Sequence, residues 1–213
     1  TYFTRKAMAI ANLVEPEYQK KMNKRILSRL RSAHLRGCPQ ELANCVDSAE
    51  REYLPRGITE TLSTLDFIES GLNVCILGPS DSGKSYLAKA IGITACNSYK
   101  VERHHCESLL EALVALKAQD YSKYQKRLKK ICGAALLILD DFLLHTITDE
   151  REVKILFEIL EKRCEINLST IICSQREPAS WSSMILNDEV SANAILKRAT
   201  KHYTVVIKPR MTV

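Results

Sequence analysis

None of the eight cysteines is spaced as C-x-x-C, and no apolar run approaches the roughly 20 residues that a membrane-spanning helix needs. The first absence argues against a disulfide framework or a zinc ribbon, and several of the cysteines fall inside apolar runs where they serve as small buried hydrophobes. The reading is of a reduced, cytoplasmic chain without a membrane partner. The opening TYFTRKAMAI has no apolar core of the kind a secretory leader carries, and it begins on Thr1 rather than methionine, which suits a fragment or a trimmed chain. There is no internal repeat and no low-complexity linker. What remains is 213 residues, 46% of them apolar, enough for one good core with a small appendage.

Charge is unevenly placed. Residues 1–40 carry nine basic side chains against Glu15 and Glu17, so the rest of a chain with net charge +6 is close to neutral. Within EYQKKMNKRILSRLRSAHL, the apolar Met22, Ile26, Leu27, Leu30 and Leu35 recur at mostly helical spacing, which predicts a basic amphipathic helix. Such a helix either faces phosphates or an acidic partner, or is a solvated helix packed on its own domain. The polar stretch CVDSAEREYLPRG, with Pro55 and Gly57, marks a boundary. The expected division is therefore a basic helical segment at 1–45 and a core at 46–213.

From Gly71 onward, strand-like and helix-like segments alternate. NVCIL, VERHHC, ALLILDD, STIICSQ and YTVVIKP read as strands, and between them lie helical stretches. ESLLEALVALKAQ puts Leu109, Leu110, Leu113 and Leu116 on one face; TDEREVKILFEILEKRCE aligns Val153, Leu156, Phe157, Leu160 and Cys164. Continuous apolar strands separated by helices predict an α/β fold, a parallel sheet with helices on both faces.

Between NVCI and YLAKAIGITAC stands LGPSDSGKS. Residues Gly78, Pro79, Ser80, Asp81, Ser82, Gly83, Lys84 and Ser85 fit G-x-x-x-x-G-K-[ST], after a strand and at the start of a helix, as the mechanism of a phosphate-binding loop requires. With glycine near ~7% of average usage, a chain of this length holds such an octet by chance about once in a hundred. The two glycines permit a tight loop whose N–H groups point at phosphate oxygens, and the helix N-terminus adds its positive dipole end. Lys84 would reach the β- and γ-phosphates of ATP, and Ser85 would ligate Mg²⁺. A metal-holding acid is then needed on a neighbouring strand, and LLILDD supplies Asp140 to hold Mg²⁺ through water and Asp141 to orient or deprotonate the attacking water. STIICSQ ends on Gln175, placed to sense the γ-phosphate or simply to cap the strand.

Together, GPSDSGKS, LLILDD, STIICSQ followed by EPASW, and NAILKRA resemble the IstB-like ATPases, AAA+ helpers of insertion-sequence transposases, over about Cys45 to Arg210. The DnaC helicase loader is similar in the same motifs but more distant. The resemblance implies a P-loop AAA+ core of the initiator and loader clade, ATP hydrolysis to ADP and phosphate, ATP-dependent homo-oligomers, binding to duplex DNA, and an IstA-like transposase as partner, or a replicative helicase in the loader alternative. It also implies that Arg198 acts in trans on a neighbour's nucleotide. Two departures stand out: LKR replaces the family's LDR, and FLLHTIT follows the acids where a glycine-containing turn is common. Only four residues follow YTVVIKP, which leaves no room for a C-terminal helical lid and fits a neighbour completing the site. A small-molecule kinase sharing the loop is a third reading, disfavoured by the lack of an arginine-rich lid.

Other residues invite weaker readings. His104, His105 and Cys106 resemble metal ligands, yet neighbours on a strand face opposite ways. Trp181 either packs a loop or meets a partner. Lys117, Lys123, Lys126, Arg127, Lys129 and Lys130 form a basic strip, either DNA-facing or solvated.

Overall fold

A computed structural model describes the backbone of residues 2–185 and 189–210, and the side chains of 16–185, 192–195 and 197–210. The chain runs α1 (Tyr2–Ser32), β1 (Arg51–Leu54), α2 (Ile58–Ser63), α3 (Asp66–Glu69), β2 (Val74–Leu77), α4 (Lys84–Ala95), β3 (Val101–His105), α5 (Cys106–Gln119), α6 (Tyr121–Cys132) and β4 (Leu136–Asp140). It continues through α7 (Glu150–Glu165), β5 (Ser169–Ser174), α8 (Trp181–Met184), α9 (Glu189–Thr200) and β6 (Tyr203–Pro209). The six strands form one sheet in the order β1-β6-β2-β5-β4-β3. All neighbours are parallel except β1, which pairs antiparallel with β6.

The sheet is buried on both faces, and the strand period shows how. Val74 and Ile76 of β2, with Leu136 and Ile138 of β4, point into one core with Leu87, Ala88 and Ile91 of α4. Their neighbours Cys75, Leu77, Leu137 and Leu139 point into the other, against Leu109, Leu110 and Leu113 of α5, Leu156 and Leu160 of α7, and Ile195 of α9. Because both faces are covered, β2, β4 and β5 read as unbroken apolar runs. Six of the eight cysteines are buried in these cores.

Three sequence expectations need adjustment. The polar stretch around residue 51 contains the edge strand β1, missed because only Tyr53 of its four residues is buried and the rest face outward. Cys164 leaves the α7 stripe and is exposed; the buried side carries Ile155, Ile159 and Arg163 instead, as the helical period drifts off a strict repeat. In α1, Met22, Ile26 and Leu30 are half-buried and Leu27 is exposed, while Leu35 is buried but lies beyond the helix end. Among the described residues, Leu30 of the last turn packs against the core, and Ala33, Leu35 and Cys45, beyond the helix, lie within it.

Arg163 explains part of the order at the α6–β4 junction. It is almost completely buried and donates to the carbonyls of Ile131, Cys132 and Ala134, to the Ser169 carbonyl and to Thr170 Oγ1. A cation thus closes the C-terminus of α6, where unpaired carbonyls and the negative dipole end accumulate.

Candidate functional site

Parallel strands put their C-terminal ends on one side of the sheet, where β2, β4 and β5 deliver the phosphate loop, Asp140 with Asp141, and Gln175. The β2–β5 register pairs Leu77 with Ser174, so the loop and Gln175 leave the sheet at the same level. A cavity of about 360 Å³ opens there, lined by Arg51, Ser80, Asp81, Gly83, Lys84, Ser85, Tyr86, Asp141 and Gln175. The structure therefore brings together nearly all the residues singled out from sequence. Gly78 and Pro79 line an adjoining cavity of about 450 Å³ with Gln175 and residues 206–209.

The loop is shaped by close contacts. Gly83, at φ 99°, is the N-cap of α4, and a side chain there would meet the Arg51 guanidinium at 2.7 Å. A Cβ on Gly78 would lie 2.6 Å from the Ile207 carbonyl and 2.7 Å from Ser82 Oγ. Lys84 is buried and its Nζ donates to the Pro79 carbonyl at 2.6 Å, closing the loop on itself. Burial pushes its ammonium down from the ordinary value, while Asp141, Asp140 and Asp81 nearby oppose that fall. An ammonium has three donors, so two remain for an anion. Ser82 Oγ is buried with no partner in the structure. These groups fit a triphosphate: spare donors, a loop too tight for side chains, and a helix N-terminus.

Asp140, 1% exposed, accepts from Ser85 Oγ at 2.7 Å and from the Arg103 guanidinium at 2.6 Å. A hydroxyl and a carboxylate already joined suit a divalent cation bound between them and phosphate oxygens. Asp141 begins the turn after β4 at φ 53°, and Leu143 also has a left-handed φ of 51°. FLLHTIT thus supplies from ordinary residues the positive φ values for which glycine would be expected. The turn is pinned to β5 by Phe142 N–H donating to the Cys173 carbonyl and by Ser174 Oγ donating to the Phe142 carbonyl. Phe142 also packs on buried Trp181, whose Nε1 donates to the Arg176 carbonyl. Trp181 is therefore a packing residue.

Sequence reasoning missed Arg51 and Arg103 here, and weighed His105 only as a metal ligand. Arg51 reaches the cavity from β1, and no motif flags a lone arginine in a polar stretch. Arg103 and His105 share one face of β3 and meet the two acids, with His105 Nδ1 3.1 Å from Asp141 Oδ2. Strand alternation sends Glu102 and His104 the other way, where His104 Nε2 lies 3.1 Å from the fully buried Glu102. Lys130 and Arg127 of the basic strip also turn onto Glu102, at 2.9 and 3.6 Å. Arg198, near the end of α9, donates to the Ala194 carbonyl and to Glu161 Oε1 at 3.1 Å, over the ring of Phe157. The salt bridge missing from LKR is thus made with α7.

Fold and loop together define a P-loop nucleotide-binding protein of the AAA+ type. Its solved neighbours include the DnaC helicase loader (20% identity, TM-score 0.62, 80% of this chain and 98% of that one) and AMPPCP-bound DnaA of Aquifex aeolicus (22%, TM-score 0.64, 80% and 50%). At those identities the likeness is one of fold.

The chain belongs to the IstB-like ATP binding protein family, whose profile matches residues 5–209. A Sinorhizobium fredii protein named for an insertion sequence and for ATP binding is 37% identical over 190 residues, 89% of this chain and 74% of its own length. A Bacillus thuringiensis protein, named for ATP binding in insertion sequence IS232, is 34% identical over 169 residues, 76% of this chain and 64% of its own. Among the described residues, no helix is long and apolar enough to cross a membrane.

Proposed function

We propose that this ATP-binding protein hydrolyses ATP at subunit interfaces as it assembles on duplex DNA and there stimulates or directs a transposase. The observation that carries the catalytic half is the convergence of Lys84, Ser85, Asp141 and Gln175 on one cavity, with buried Asp140 bonded to Ser85. Lys84 and the loop N–H groups would bind and orient the phosphates, Asp141 would take the proton of the attacking water, and Gln175 would report on the γ-phosphate. Mg²⁺, held by Ser85 and through water by Asp140, would supply charge neutralisation across the β- and γ-oxygens.

The insertion-sequence names of the relatives support a transposase over a replicative helicase as partner. Residues 1–45 are proposed as the basic segment that serves DNA or partner, on a core at 46–213 in a cytoplasmic protein. Since α1 leaves the core before its last turn, its exposed lysines and arginines add across an oligomer, and binding should weaken steeply with salt. Arg198 is proposed to act in trans, leaving Glu161 to do so.

The test is ATP binding and turnover by Lys84→Ala, with DNA binding measured across a salt series. Loss of both nucleotide responses is expected, with DNA binding dependent on ATP in the wild type. Unchanged ATP affinity would sink the site assignment; a shallow salt slope would remove the DNA half. Arg198→Ala should bind ATP yet fail to turn it over, and mixing it with Lys84→Ala should restore activity at interfaces that unite an intact loop with an intact arginine.

A further inference from the structure

Asp140 is a buried acid that already has a cation. Arg103 reaches it from β3 at 2.6 Å, and the Arg103 side chain is only 10% exposed. Its Nε, buried beside the site, has no hydrogen-bond partner. A buried donor without an acceptor costs free energy, so the ion pair to Asp140 is what holds the guanidinium in place.

We propose that Arg103 is a positioning residue that occupies Asp140 electrostatically in the nucleotide-free site, so that a divalent cation binds there only in company with ATP. This rests on the reading of Ser85 and Asp140 as metal-holding groups. One positive charge against the carboxylate repels a second cation that would share it, so the empty site has little attraction for metal alone. A bound triphosphate adds several negative charges. That relieves the repulsion and draws the guanidinium partly off Asp140, and the order of loading becomes nucleotide first or nucleotide and metal together. Strand geometry makes this possible: β3 lies directly beside β4, in a register pairing His105 with Asp140, so a long side chain two residues earlier on the same face lies within reach of the acid.

The test uses the full chain without nucleotide, with Mn²⁺ as the probe and its free-ion paramagnetic resonance signal as the readout. Wild type should bind Mn²⁺ weakly. Arg103→Gln should bind it about tenfold more tightly or better, the scale of one unit charge removed from a mostly buried site. The gain should vanish in Arg103→Gln combined with Asp140→Asn. Unchanged or weaker Mn²⁺ binding by a folded Arg103→Gln would overturn the proposal. If that variant does not fold, Arg103→Met, uncharged and of similar length, should show the same gain; equality with wild type would overturn it. ATP affinity in EDTA should not rise in either variant, because the charge that repels the metal attracts the polyphosphate. A separate failure, Asp140→Asn leaving Mn²⁺·ATP binding untouched, would sink the metal assignment itself.

Discussion

Glu102 is a carboxylate with no exposure to water, at the edge of the sheet and shared by three elements. His104 and Lys130 meet it at 3.1 and 2.9 Å, Arg127 at 3.6 Å, and Ser32 Oγ donates to it from the end of α1 at 3.5 Å. Desolvation alone would raise its pKa. The hydrogen bonds from His104 and Lys130 and the charges of Lys130 and Arg127 outweigh it and bring the group from 4.5 down to about 2. Since the folded value lies below the unfolded one, the stabilisation is complete above pH 4.5 and fades as the pH falls towards 2. A shift of that size corresponds to about 3 kcal/mol at pH 7, falling by about 2 kcal/mol at pH 3. Glu102→Gln removes the titrating group. Urea unfolding at a series of pH values should therefore show wild type about 3 kcal/mol more stable at pH 7, with a gap that narrows steeply below pH 4.5. A gap independent of pH would refute the charge account and leave only lost packing; no gap would refute it altogether.

Asp141→Asn is expected to bind ATP normally and to slow its hydrolysis about 10²-fold or more, measured by single-turnover phosphate release. Arg163→Met should cost about 2–4 kcal/mol in urea unfolding, because it removes buried hydrogen bonds to the carbonyls of Ile131, Cys132, Ala134 and Ser169. Alkylation followed by mass spectrometry should label exposed Cys164 first, while Cys75 and Cys106, pushed up to about 12 by burial, react only on unfolding.

The strands that carry the site were legible because burial on both faces turns them into apolar runs, and the loop was legible because phosphate binding tolerates few residue types at fixed spacing. LLILDD and STIICSQ could be placed for the same reason. What could not be read was whatever depends on one long side chain crossing between elements. Arg51 sits on an edge strand of four residues, Arg103 on the opposite edge strand, and Glu161 on α7 far in sequence from the Arg198 it holds. Periodicity assigns such residues to a face but says nothing about their partners. The α1 spacing misled for a related reason: its apolar positions are real, but Leu27 is exposed and Met22, Ile26 and Leu30 are half-buried, because the core is met just past the helix end, at Ala33 and Leu35.

Among the described residues, α1 is tied to the rest of the chain at its C-terminal end. Its 31 residues span about 45 Å. The tie is Arg29, which donates to the carbonyls of Cys96 and Asn97 just past α4, helped by Ala33 and Leu35. The opposite end of α4 begins with Lys84 and Ser85. One helix, α4, thus spans from the anchor of α1 at its C-terminal end to the phosphate loop at its N-terminal end.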